Sequence, residues 1–243
     1  MNILVCGAGV MASFVKESIE SSNHKCVGMY DPLGNGNYKD LKEIVTKIDG
    51  IIDFSHFSLT EEILKYAIEI NSPLVIATTG HTDEQKLKIE EASKKIAILK
   101  ATNTSLGVNI MNQIVSYATK LLADFDIELI EKHHNRKIDA PSGTAVTLLE
   151  VINESFSEKK NFVYGREGNK KREKNEIGVH AIRAGNIVGE HTVIFSSGDE
   201  IIEIKHEALS RKIFADGAVK AILSLTNKPS GLYLMKDILN INN

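Results

Sequence analysis

Apolar residues along the first hundred positions fall in short runs separated by stretches of helical spacing, and the two patterns alternate. Residues 3–6 form an apolar run that stops at glycines. Helical spacing follows through about Ser22, and Lys25 to Tyr30 reads as a second strand. The alternation continues with strands near Gly50 to Asp53, Leu74 to Ala77 and Ile96 to Lys100, and with helices near Leu59 to Ile70 and Asp83 to Lys95. Ser58 with Glu61, and Thr82 with Gln85, have the spacing of capping boxes that open helices. Short strands joined through helices predict an α/β fold with a doubly wound parallel sheet.

Beyond Asn103 the pattern changes. A long helix is expected from Leu106 to Leu122 and a strand from Asp126 to Lys132, and a second helix follows the turn at Pro141 to Thr144. Gly178 to Glu207 is dominated by strand-like runs such as HTVIF and EIIEIKH, which predicts a mixed or antiparallel sheet with one face free to pack on something. Lys159 to Glu176 is polar and basic in its middle (GNKKREK), the pattern of an exposed loop. Phe214 to Thr226 is a helix expected to return to the first region. No internal repeat or low-complexity tract interrupts this order.

Composition removes several classes. A chain of 243 residues with 42% hydrophobic content can bury a sizeable core. Its 29 basic and 32 acidic residues leave a formal charge of -3, so no global basic field recruits nucleic acid or anionic lipid. The apolar start MNILVCGAGVMASF lacks a charged n-region and is punctuated by glycines, which argues against a signal peptide. No apolar run approaches the roughly 20 residues that span a bilayer. Cys6 and Cys26 fall in expected buried strands, where they read as small apolar residues in a reducing compartment. The expectation is a cytoplasmic protein without nucleic-acid or membrane partners.

Two places carry candidate chemistry. Gly7, Gly9 and Ala12 match G-x-G-x-x-G/A directly after a strand and at the opening of a helix, where backbone N–H groups can meet a pyrophosphate. Asp31 ends the second strand roughly 20 residues on, placed to accept from ribose hydroxyls. The bland alternatives are structural turn glycines and a turn aspartate before Pro32. Together the two features favour a dinucleotide on a Rossmann-like fold. The second place is Glu131 to Ala145, EKHHNRKIDAPSGTA, with adjacent histidines, a lysine and a tight turn ahead of a helix. Such a turn exposes N–H groups and the positive end of a helix dipole to a carboxylate or phosphate, and His133 and Lys137 can supply protons beside it. Neighbouring histidines on a strand point to opposite faces and no Cys/His cluster supplies further ligands, so no metal site is expected.

The segment HHNRKIDAPSGTA resembles the signature of the 4-hydroxy-tetrahydrodipicolinate reductase (dihydrodipicolinate reductase) family, and the glycine loop, ATTG, SLGVN, IGVHAIRAG, FADGAVKAI and GLYLMKDIL extend the likeness nearly end to end. The resemblance implies an NAD(P)H-dependent oxidoreductase of lysine and diaminopimelate biosynthesis that reduces a small dicarboxylate. By matching positions, His133 is the general acid and Lys137 a cationic donor, while His134, Ser142, Gly143 and Thr144 bind substrate. Cofactor contacts are Gly7, Ala8, Gly9, Val10, Met11 and Ala12 with Asp31, and by resemblance alone Ala77, Thr78, Thr79, Ala101 and Thr104. It further implies a dinucleotide-binding domain of residues 1–103 and 217–243, an inserted α+β substrate and oligomerisation domain of residues 104–216, and a homotetramer. NADH is expected to serve at least as well as NADPH, because Asp31 would repel a 2'-phosphate and Pro32 offers no compensating cation. Asp139 could orient Lys137 or steady the turn. Arg183 and Arg211 could offset a dianionic substrate or form surface salt bridges, and Arg136 is left outside the site. Two rivals remain: an aspartate-dehydrogenase-like oxidoreductase, and a non-catalytic nucleotide sensor. His133, His134 and Lys137 count against both.

Overall fold

A computed structural model of the chain describes residues 1–238. The described residues form two compact units, one of residues 1–106 and 211–238, the other of residues 107–210. These boundaries lie a few residues from the 103/104 and 216/217 expected from the sequence, because the whole of the returning helix packs in the first unit. Residues 239–243, the end of the expected C-terminal piece, lie outside the described residues.

The first unit alternates β1 (Asn2–Cys6), α1 (Val10–Ser21), β2 (Lys25–Tyr30), β3 (Gly50–Asp53), α2 (Thr60–Glu69), β4 (Leu74–Ile76), α3 (Asp83–Ser93) and β5 (Ala97–Lys100). Its strands form one parallel sheet in the order β11-β5-β4-β3-β1-β2, where β11 is Gly231–Tyr233 near the chain's end. Successive side chains of a strand point to opposite faces, and here both faces are covered. Ile3, Val5, Ile52, Val75 and Leu99 pack with α1 and α6 (Lys212–Leu225) on one side. Leu4, Cys6, Ile51, Leu74, Ile76 and Ile98 pack with α2 and α3 on the other. That is why β3 reads as an unbroken apolar run ending in an acid. The strand order reverses direction around β1 and β3, so the crevice at their carboxyl ends is where such a sheet receives a ligand.

The second unit contains α4 (Leu106–Leu121, whose first residue belongs to the first unit), β6 (Asp126–His133), α5 (Gly143–Glu154), β7 (Asn161–Tyr164), β8 (Glu176–Arg183), β9 (Gly189–Ser196) and β10 (Ile201–Ala208). The sheet is mixed, in the order β10-β9-β6-β8-β7, with β6, β7 and β8 parallel and β9 antiparallel to β6 and β10. Ile127, Leu129, Ile177, Val179, Val193 and Phe195 turn inward against Met111 and Val115 of α4 and Leu148 and Ile152 of α5. The opposite face carries ion pairs of Lys132 with Glu190 and of Lys205 with Glu190 and Glu207, and leaves Ile182 and Ile201 exposed.

Three local expectations are corrected. Ser58 does not cap α2; it sits in a single 3-10 turn, Phe57–Leu59, whose start is capped by the His56 side chain. Cys26 is half-buried rather than buried. The stretch Lys159 to Glu176 is not a loop throughout, since β7 lies within it and Arg172 ties it to Asp126 and Glu128. The Thr82–Gln85 capping box is present in both directions, at 3.2 and 3.0 Å. Among the described residues no helix is long and apolar enough to cross a membrane.

Candidate active site

Strand alternation builds the site in the second unit. Glu131 and His133 share the inward face of β6 with Ile127 and Leu129, so a carboxylate and an imidazole continue the apolar row at its carboxyl end. Glu131 is fully buried, and its partners explain how it tolerates that. Arg183, opposite His133 on β8, donates Nη1 to Oε2 at 2.8 Å and Nη2 to Oε1 at 2.6 Å. The backbone N–H of Ser142 donates to Oε1 at 3.0 Å, and His133 Nδ1 lies 2.6 Å from Oε2. Burial alone would raise the carboxyl; the hydrogen bonds from His133, Arg183 and Ser142 outweigh it and bring it down to about 2. An ionised carboxylate only accepts, so His133 Nδ1 is the donor in that contact.

The turn from His134 to Ser142 connects β6 to α5. Lys137 N–H donates to the His134 carbonyl, and Lys137 Nζ pairs with Asp139 at 2.8 Å. Arg183 Nη2 also donates to the Asp139 carbonyl at 2.7 Å, and the Ala140–Pro141 peptide is cis. Ser142 caps α5, its Oγ accepting from Ala145 N–H at 3.2 Å and lying 3.0 Å from His191 Nε2. The N–H, carbonyl and hydroxyl of Ser142 are therefore all engaged within the protein. Gly143 opens the helix on the exposed side, and a Cβ built there would meet nothing within 4 Å. The rings of His133 and His191 stand edge to face with centroids 5.2 Å apart. Burial, then the charges of His133 and Lys137 among others, push His191 down to about 4, so it is neutral near pH 7. His133, Lys137, Ser142 and His191 are thus neighbours around the start of α5, and His134 sits half-buried just past the end of β6.

Glu131, Arg183 and His191 were not assigned from the sequence. Arg183 forms a salt bridge, but with a buried rather than a surface carboxylate. The available signal was the two-residue spacing of Glu131 and His133 on a strand. Arg136 is exposed and bonds Asn186 at 3.0 Å, and Asp139 holds Lys137, one of its two expected roles.

In the first unit, Gly7 has φ +107°, and a Cβ there would stand 2.7 Å from the Phe54 carbonyl oxygen, so only glycine fits the β1–α1 turn. Gly9 is the N-cap residue of α1 and supplies no side-chain cap; no acid sits in the first turn. Val10 and Met11 begin the helix, Ala12 is buried under it, and Ala8 lies in the turn. An uncapped helix start behind a glycine turn fits a pyrophosphate. Asp31 directly follows β2 and accepts from Leu33 N–H at 3.1 Å and Asn35 Nδ2 at 2.8 Å. The Asn35 bond, then that of Leu33, holds its carboxyl below the usual range. Lys39 folds over the same loop, its Nζ 3.1 Å from where a Cβ of Gly34 would be. Ala77, Thr78, Thr79 and Ala101 follow the ends of β4 and β5, with Thr79 exposed. Thr104 is buried, and its hydroxyl donates to the Phe214 carbonyl at 2.6 Å.

This combination defines a class: a Rossmann-like α/β unit with a glycine turn before an uncapped helix, joined in one chain to a mixed-sheet unit with a histidine beside the start of a helix. The family profile described as dihydrodipicolinate reductase, N-terminus, matches residues 1–104, and that described as dihydrodipicolinate reductase, C-terminus, matches residues 107–239. The chain belongs to the dihydrodipicolinate reductase family and is an oxidoreductase. A 4-hydroxy-tetrahydrodipicolinate reductase of Brachyspira hyodysenteriae is 47% identical over 98% of this chain and 100% of its own length. One from Alkaliphilus metalliredigens is 43% identical over 99% and 100%. The dipicolinate-bound dihydrodipicolinate reductase of Paenisporosarcina sp. TG-14 shares the fold, with a TM-score of 0.78, 22% identity and 100% and 99% of the two chains covered.

Proposed function

We propose that the chain reduces 4-hydroxy-tetrahydrodipicolinate to tetrahydrodipicolinate with NADH or NADPH, a step of diaminopimelate and lysine biosynthesis in the cytoplasm. The grouping of His133 and Lys137 at the start of α5 carries this reading, in a chain 47% identical to a reductase of that name. When bound, the reduced nicotinamide supplies the hydride. The 4-hydroxy group leaves as water, hydride addition to the conjugated imine so formed builds negative charge on the ring, and His133 supplies the proton where it appears. Lys137 is the second cationic donor. His134 contacts one substrate carboxylate, and the helix start at Ser142, Gly143 and Thr144 receives another, with Ser142 acting chiefly by shaping the turn.

For the dinucleotide, the residues from Gly7 to Ala12 hold the pyrophosphate and Asp31 the adenosine ribose. Ala77, Thr78, Thr79, Ala101 and Thr104 line the nicotinamide side, Thr104 through its backbone. The sheet face bearing Lys132, Glu190 and Lys205 packs against further copies in a homotetramer; light scattering at four chain masses supports this, and a monomer mass removes it. The reaction itself is tested by following NADH and NADPH oxidation while a coupled synthase generates substrate. Oxidation that depends on the synthase is expected, and none with either nucleotide overturns the reading.

A further inference from the structure

Glu131 has no part in the steps above, yet its carboxylate touches both halves of the site. Oε2 lies 2.6 Å from His133 Nδ1, and Oε1 accepts the N–H of Ser142, the residue that caps α5. Two donors from Arg183 close the remaining side. With Nδ1 committed as a donor to the carboxylate, Nε2 is the ring nitrogen left for proton exchange: it takes a proton from solvent to form the imidazolium, gives that proton to the substrate, and is left as the neutral Nδ1–H ring. Gly189 keeps that nitrogen approachable. A Cβ there would stand 3.1 Å from Nε2, tighter than ordinary van der Waals contact.

We propose that Glu131 is a positioning residue: it fixes the His133 ring in the Nδ1–H tautomer, aims Nε2 past Gly189 and ties that aim to the start of α5. Its catalytic consequence rests on His133 being the acid of the proposed reaction. A Glu131 that served only to balance Arg183 would leave the tautomer of His133 unconstrained. Long-range ¹H–¹⁵N spectra of the full chain with labelled histidine, at a pH where the ring is neutral, should show His133 as the Nδ1–H form. The Nε2–H form in the parent protein overturns the proposal, and this measurement needs no variant to fold. In Glu131→Gln the amide can donate to Nδ1 as well as accept, so the population shifts toward Nε2–H and kcat falls by ~10-fold or more, within the range of lost acid help. KM for the nucleotide stays at the parental value. An unchanged tautomer with unchanged kcat in Glu131→Gln overturns it equally. Parental turnover in His133→Gln sinks the acid reading instead, and the tautomer then judges the positioning by itself.

Discussion

Glu131 keeps a negative charge where solvent does not reach, and the charge persists because four hydrogen-bond donors converge on it. A buried carboxylate lacking these partners would neutralise instead. The cost of that design appears in acid. His191 is pushed from the ordinary 6.5 to about 4 by burial first, so between those values the unfolded chain binds the extra proton and folding weakens as pH falls. Glu131, down from 4.5 to about 2, adds stability that is present above 4.5 and lost as pH falls toward 2. Denaturant titrations should therefore show the stability difference, parent minus His191→Asn, shrinking as pH drops from 6.5 to 4. A difference independent of pH would show that His191 is not held neutral. His133 and Lys137 were legible in the sequence because two histidines, a lysine and a tight turn are rare together. Glu131 was not, since its meaning depends on β8 lying beside β6 in the register that sets Arg183 opposite His133.

Elements explain which replacements are informative. At the start of α5, a Cβ on Gly143 meets nothing within 4 Å, so Gly143→Val should fold normally while blocking approach to the helix N–H groups. KM for the substrate should rise strongly, with Thr144→Ala milder. An unchanged KM would place the carboxylate elsewhere. The loop after β2 sets the second case. A carboxylate at Asp31 would disfavour a 2'-phosphate, whereas Lys39, folded over Gly34, is a cation that would offset it. Catalytic efficiency with NADH should equal or exceed that with NADPH at matched salt. A strong NADPH preference that vanishes in Lys39→Ala would show that the lysine outweighs Asp31. The buried strands and most helices were readable because both faces of the first sheet are covered, which leaves continuous apolar runs. β7 escaped notice because its half-exposed residues, NFVY, sit inside a charged stretch, and the Ser58 box failed because a 3-10 turn places the cap on His56.

At the scale of the whole molecule, one chain supplies an α/β unit with an uncapped helix start after β1 and a second unit in which a buried carboxylate ties His133 to the start of α5. The alternation of strands and helices announced the first unit. The second was announced by the strand-like runs of Gly178 to Glu207 as well as by the histidine segment, and α6 lies in the first unit, as expected from its apolar spacing, whereas the order β10-β9-β6-β8-β7 is a pairing that periodicity does not encode. The central claim is that His133 delivers the proton in this reduction, and kcat of His133→Gln in the synthase-coupled assay measures it most directly. With Lys137→Ala alongside, turnover should fall by about 100-fold or more in each variant, while NADH binding measured by fluorescence stays at the parental affinity. Near-parental kcat in folded His133→Gln would contradict the account.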